Sequence, residues 1–130
     1  MQSNIQKNDS ANQYDVIVLG AGAAGLMAAI TAASRNRSVL VVEKSNKIGK
    51  KILMSGGGKC NFTNTSIEFD NFISQNPHFC KSALSRYTAF DFIKLVEKHA
   101  IEYEERKDHQ LFCVHSSKDI VNMLQKECSV

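Results

Sequence analysis

The sequence predicts an α/β fold opening on a parallel strand–helix–strand unit, and three observations carry that prediction. A short β-branched run, Tyr14-Asp15-Val16-Ile17-Val18-Leu19, stops at a glycine. An alanine-rich stretch from Ala23 to about Ser34 follows. A second apolar run, Ser38-Val39-Leu40-Val41-Val42-Glu43, ends on an acid. Strand, helix and strand in about thirty residues make one βαβ unit, whose crossover is right-handed by strong preference.

Each element has its own warrant. The two runs are β-branched and apolar throughout, as in strands of a parallel sheet buried on both faces. Alanines with Leu26, Met27 and Ile30 suit a helix lying close against a sheet. Asn36 tolerates the left-handed turn that ends such a helix. From Lys44 to Ser66 the periodicity vanishes, and glycine, serine and asparagine dominate, which predicts a long loop. Phe79 to Tyr87 reads as helical. Thr88 then opens a clearer helix with a Thr-x-x-Asp start and an apolar face of Phe92, Ile93, Val96 and Ala100. Ile101 to Glu105 and Leu111 to Val114 suit a short hairpin across Arg106 to Gln110. Ser116 or Ser117 would cap a last helix with Ile120, Val121, Leu124 and Cys128 inward. Residues 1–13 are rich in Ser, Asn and Gln and read as a disordered tail. No composition break or repeat divides residues 14–130.

Composition excludes several functions. The 130-residue chain suits one domain, and its net charge of +3 is mild. Acids and bases interleave, as in Glu102-Tyr103-Glu104-Glu105-Arg106-Lys107-Asp108, so no nucleic-acid stripe is expected. No run approaches the ~18 apolar residues of a membrane span, and the tail does not suit a signal peptide, so a cytoplasmic protein without membrane contact is expected. The four cysteines, Cys60, Cys80, Cys113 and Cys128, form no C-x-x-C pair, so no metal site is expected. The last three read as small core residues.

The chemistry lies in the glycines. Gly20-Ala21-Gly22-Ala23-Ala24-Gly25 is G-x-G-x-x-G between the first strand and the helix, and Glu43 ends the next strand. Gly20 permits a sharp turn, Gly22 leaves room for a pyrophosphate at the backbone, and Gly25 lets the helix approach the sheet. The helix amino terminus presents free N–H groups and the positive end of its dipole. Glu43 suits the ribose hydroxyls of adenosine and would repel a 2′-phosphate. These residues predict a Rossmann-like dinucleotide site of the three-layer type, incomplete in this chain. A second cluster, Lys50-Lys51-Ile52-Leu53-Met54-Ser55-Gly56-Gly57-Gly58-Lys59-Cys60-Asn61-Phe62-Thr63-Asn64, reads as a flexible loop or as an anion-binding nest with lysines supplying charge.

GAGAAGLMAA, VVEK and GKKILMSGGGKCNFTN together resemble the aminoacetone-oxidase-like family of FAD-dependent oxidoreductases, the BaiN/YhiN-type flavoproteins. The resemblance runs through NPHFCKSALSRYTAFDFIKLVEKH and QLFC to the final helix. It implies that FAD is the cofactor and that the lysine and glycine loop wraps it. Ala23 and Ala24 would lie at the pyrophosphate, Glu43 and Lys44 at the adenosine. Lys50, Ser55, Gly56, Gly57, Gly58, Cys60 and Asn61 would face the cofactor. Asn36 stands where the family usually has glycine, and Lys59 where it has arginine, which loses a planar bidentate fork. Family members are much longer, so NAD(P)H or a small-molecule substrate would meet regions this chain lacks.

No catalytic residue is assigned. There is no Ser/His/Asp set, and His78, His99, His109 and His115 are scattered as surface or helix-end residues. Cys60 reads either as a thiol activated by its lysine-rich surroundings or as one that packs against the cofactor. Three functions follow: the flavin-binding part of an oxidoreductase, a truncated non-catalytic nucleotide-binding fragment, or an adenosyl-cofactor methyltransferase-like domain.

Overall fold

The structure, a computed structural model, describes residues 13–129. Nearly all of the expected disordered tail lies outside the described residues. Strand β1 (Val16–Leu19), helix α1 (Ala23–Ala33) and strand β2 (Val39–Val42) form the expected unit. β1 and β2 pair in parallel, with Val16 opposite Val39 and Leu19 opposite Val42. Asn36 ends the helix turn at φ 58°, the left-handed conformation its side chain tolerates. Asp15 locks the strand entry, because its Oδ2 accepts from both N–H and hydroxyl of Ser38.

The two strands are not buried on both faces, contrary to the sequence expectation. The pleat sends Val16, Val18, Val39 and Val41 to the side covered by α1. It sends Ile17 and Leu19 the other way, where they are 60% and 82% exposed, with Val42 beside them also exposed. Uniformly apolar sequence records a strand designed for two covered faces. In this chain only one is covered.

The stretch 44–66, expected as a loop, carries regular structure. Helix α2 (Lys50–Met54) passes directly into a tight 3-10 turn (Ser55–Gly58) and strand β3 (Asn61–Asn64). Neither element has a readable period: α2 is barely more than one turn, and β3 exists through its partner rather than its composition. Helix α3 (Lys81–Arg86) is shorter than expected. Helix α4 (Ala89–Lys98) begins at Thr88 in a capping box with Asp91, as its sequence predicts. Ala100 leaves the apolar face, because it lies beyond the helix at φ 52° and is exposed.

Strands β4 (Tyr103–Glu105) and β5 (Gln110–Cys113) make the expected hairpin, and β3 pairs with β5 on its other edge. The second sheet is therefore antiparallel in the order β3-β5-β4. Helix α5 (Lys118–Cys128) packs on α1 and α2, joining the two sheets through one core. Leu26, Ile52, Val96, Cys113 and Leu124 lie in that core, and burial of each of the four aliphatic side chains among them contributes about 1.5–3 kcal/mol. Phe62 meets Tyr103 edge to face at 5.7 Å and Phe92 at 6.0 Å, fastening β3 to the hairpin and α4. Among the described residues no helix is long and apolar enough to cross a membrane.

Candidate cofactor site at two glycine turns

The three glycines of the first turn serve three purposes. Gly20 has φ +102°, a conformation costly for any side chain, and its N–H donates to Val42 O at 2.7 Å. Gly25 is fixed by closeness: a Cβ there would stand 1.9 Å from the carbonyl oxygen of Gly20. Gly22 is different. Its φ of −83° suits any residue, and a Cβ would meet nothing within 4 Å. The chain itself gives no steric reason for glycine at that position. Gly22 caps α1 without a side-chain acceptor, and the helical ladder begins only with Leu26 N to Gly22 O at 2.9 Å. Ala23, Ala24 and Gly25 thus turn N–H groups outward with no intrahelical partner.

Glu43, one residue past β2, is held by the same turn. Its Oε2 accepts from Ala21 N and its Oε1 from Ser45 N, both at 2.7 Å. These bonds, that from Ser45 first, hold the carboxyl below its ordinary value of 4.5. The group is ionised at neutral pH, and each oxygen keeps a lone pair for a further donor. Lys44, the next residue in the chain, and Lys50, the first of α2, are both exposed.

A second glycine turn docks on the first through Ala21. Gly49 adopts φ +61° at the start of α2, and its N–H donates to Ala21 O at 2.8 Å. A Cβ on Gly49 would lie 2.7 Å from Val121 Cγ2. Ala21, 2% exposed, therefore spends its N–H on Glu43 and its carbonyl on Gly49. Sequence reasoning missed both Ala21 and Gly49. The available signal for Gly49 was a lone glycine just before the short Lys-Lys-Ile-Leu run.

Past α2, Gly56, Gly57 and Gly58 all have positive φ, at 54°, 63° and 86°. A Cβ on Gly56 would clash with Asn61 N at 2.6 Å, whereas Gly57 and Gly58 face open space. Lys59 does not reach outward. Its ammonium donates to the carbonyls of Val114 and His115, each at 2.8 Å. Ser117 stands where a cap was expected, but its hydroxyl turns inward to Leu53 O at 3.0 Å, and its N–H donates to Gly58 O at 2.7 Å. The other expected candidate, Ser116, takes that role: its hydroxyl accepts from Lys118 N at 3.2 Å, while Asp119 Oδ2 accepts in return from Ser116 N at 3.1 Å.

A cleft of about 280 Å³ brings together Ala23, Ser55, Cys60 and Asn61 with Met27, Phe62 and Phe92. Gly22, Ala24, Glu43, Lys44 and Lys50, and the three glycines 56–58, lie outside its lining. Cys60 is 4% exposed, and burial pushes its thiol up while the Ser55 hydroxyl bond opposes the shift. That environment favours packing over reactivity. Cys113, fully buried, is pushed up to about 12 by desolvation and by Cys60. His78, His109 and His115 are exposed, and His99 ends α4 against Glu127 at 2.6 Å, away from both turns.

The family that matches this sequence, over residues 14–130, is the HI0933-like protein Rossmann domain. The chain is 53% identical over 116 residues to a ribosomal RNA dihydrouridine synthase of Escherichia coli, covering 89% of this chain and 29% of that protein. It is 54% identical over 118 residues to the protein of the same name in Haemophilus influenzae, covering 90% and 29%. It is 36% identical over 72 residues to a 3-dehydro-bile acid delta(4,6)-reductase of Clostridium scindens, covering 54% and 18%. The chain thus spans less than a third of the length of these curated relatives. With its parallel β1–β2 unit and its glycine-turned α1, the chain belongs to the HI0933-like Rossmann family.

Proposed function

We propose that this chain is the FAD-binding part of a flavin-dependent oxidoreductase, and that residues 14–130 are the amino-terminal part of its FAD/NAD(P)-binding domain. One observation carries the reading: two glycine turns far apart in the chain meet at Ala21, directly beneath the unpartnered first turn of α1. The residues fit a dinucleotide. Gly22 leaves the approach open, the N–H groups of Ala23, Ala24 and Gly25 receive the pyrophosphate, and the ionised Glu43 accepts from the ribose hydroxyls. Lys44 and Lys50 add positive charge. Ser55, Cys60 and Asn61 line the cleft beside α1, and the adjoining Gly56–Gly58 turn would offer backbone N–H groups to the cofactor.

FAD, when bound, supplies the two-electron hydride chemistry, and the protein supplies position and electrostatics. Cys60 shields the cleft from water rather than acting as a nucleophile, which its raised pKa and 4% exposure support. The names of the relatives point to a uridine of ribosomal RNA as the substrate of the longer protein. The interleaved charges of this chain offer no RNA-binding stripe, so we place RNA recognition in the sequence that the relatives have beyond the matched region. The small share of each relative that is covered favours a second reading, a nucleotide-binding fragment without activity of its own. The family match argues against an adenosyl-dependent methyltransferase.

The substrate is tested in the host cell. Deleting the gene should remove a dihydrouridine from ribosomal RNA, read by mass spectrometry as one position carrying uridine, two hydrogens lighter than dihydrouridine. Unchanged dihydrouridine content would sink the RNA reading and leave the flavin reading to its own test.

A further inference from the structure

We infer that Ser117 and Lys59 are positioning residues that clamp the triple-glycine turn in its left-handed shape, and that FAD affinity depends on this clamp. The inference rests on the flavin reading above. Gly56 and Gly57 adopt the left-handed conformation in succession, at (54°, 33°) and (63°, 32°), and the two backbone bonds that close the turn, Lys59 N to Gly56 O and Cys60 N to Ser55 O, both lie at the long end of the range at 3.2 Å. Glycine permits this shape without enforcing it, since it loses more conformational freedom on ordering than any other residue. Something outside the turn must select it.

The connection from β5 to α5 supplies that constraint from both sides. Ahead of the turn, the Ser117 hydroxyl donates to Leu53 O at 3.0 Å. Behind it, Ser117 N donates to Gly58 O at 2.7 Å. One residue further on, Lys59 Nζ donates to the carbonyls of Val114 and His115, both at 2.8 Å, and Cys113 N donates to Lys59 O at 2.9 Å. Ser117 is 3% exposed, the one polar residue buried in the core among the described residues. Its buried hydroxyl and N–H are both satisfied by the segment they bridge, so moving the turn would leave them unpaired and costly. Lys59 has given its charge to two carbonyls rather than to solvent or to a ligand. It therefore acts through the turn.

The test uses the 130-residue chain with Lys59→Met, Lys59→Arg and Ser117→Ala. Amide hydrogen exchange at residues 56–60, FAD affinity by flavin fluorescence quenching, and the thermal midpoint are read together. Lys59→Met keeps the aliphatic stem and removes the donors. It should speed local exchange and weaken FAD by at least about tenfold, the scale of a single bond to a charged group where two are removed, with a smaller effect on the midpoint. Lys59→Arg should restore both. If Ser117→Ala does not fold, the lysine pair still decides the matter. Exchange and affinity unchanged in Lys59→Met would overturn the proposal, as would a fall in affinity that Arg fails to rescue. Faster exchange in variants of a folded chain that binds no FAD would sustain the clamp and overturn only the flavin reading.

Discussion

Ala21 organises the site at the residue scale although its side chain is a single methyl. Its N–H and carbonyl tie Glu43 and Gly49 together, so the end of β2 and the start of α2 share one anchor. The glycines around it separate into those the fold needs and those a ligand needs. Gly25→Ala should destabilise the chain by about 3 kcal/mol, since a methyl 1.9 Å from Gly20 O forces α1 off the sheet. Urea unfolding would measure this. Gly22→Val should leave the fold standing and abolish flavin retention, read as the ratio of flavin to protein after purification. Glu43 makes a pH-dependent contribution. Its carboxyl is depressed below 4.5 in the fold, so the stabilisation is fully present above that value. It is lost as pH falls through the lower folded value, where a proton displaces the Ser45 and Ala21 bonds. Glu43→Gln should flatten that acid limb in a pH series of thermal melts, and an identical limb would contradict the assignment. The G-x-G-x-x-G and Glu43 were legible because local conformation and spacing determine them. Ala21, Gly49 and Ser117 were not, because their importance lies in contacts between segments far apart in the chain.

Among the elements, the best-read helix was the one with its own stop and start signals. α4 begins where Thr88 Oγ1 accepts from Asp91 N at 3.2 Å and Asp91 Oδ2 accepts from Thr88 N at 2.8 Å. Thr88→Ala should cost about 1 kcal/mol in chemical denaturation. α2 was illegible for the opposite reason. Five residues cannot show a helical period, and Lys50-Lys51-Ile52-Leu53-Met54 is held by Gly49 against Val121 rather than by propensity. β3 likewise depends on β5, and its register shifts between Asn61 and Thr63. Asn61 sits on that irregularity, and its amide, oriented to satisfy both bonds, donates to Leu111 O and Thr63 O. A strand made by its partner leaves little trace in its own composition.

For the whole molecule, the parallel sheet is the informative feature. It has two strands, one face under α1 and the other open, with Ile17, Leu19 and Val42 exposed. Ile73, Phe79 and Phe90 add further exposed apolar surface. Open strand edges and apolar faces of this kind promote association. The isolated chain should self-associate in sedimentation experiments, and Leu19→Lys should reduce the effect. A monomer at every concentration would contradict this. The alternation of exposed and covered side chains along β1 could not be read from a run that is apolar at every position. That uniformity suits a sheet covered on both faces, whereas among the described residues only the α1 side is covered.

The most direct test of the account is a titration of FAD into the wild-type chain and Gly22→Val, side by side, following flavin fluorescence, with thermal melts confirming that both are folded. Saturable quenching by wild type and none by Gly22→Val is the predicted result, because the valine fills the space left at the head of α1. Equal quenching by both, or none by a folded wild-type chain, would contradict the claim that these two glycine turns seat the cofactor.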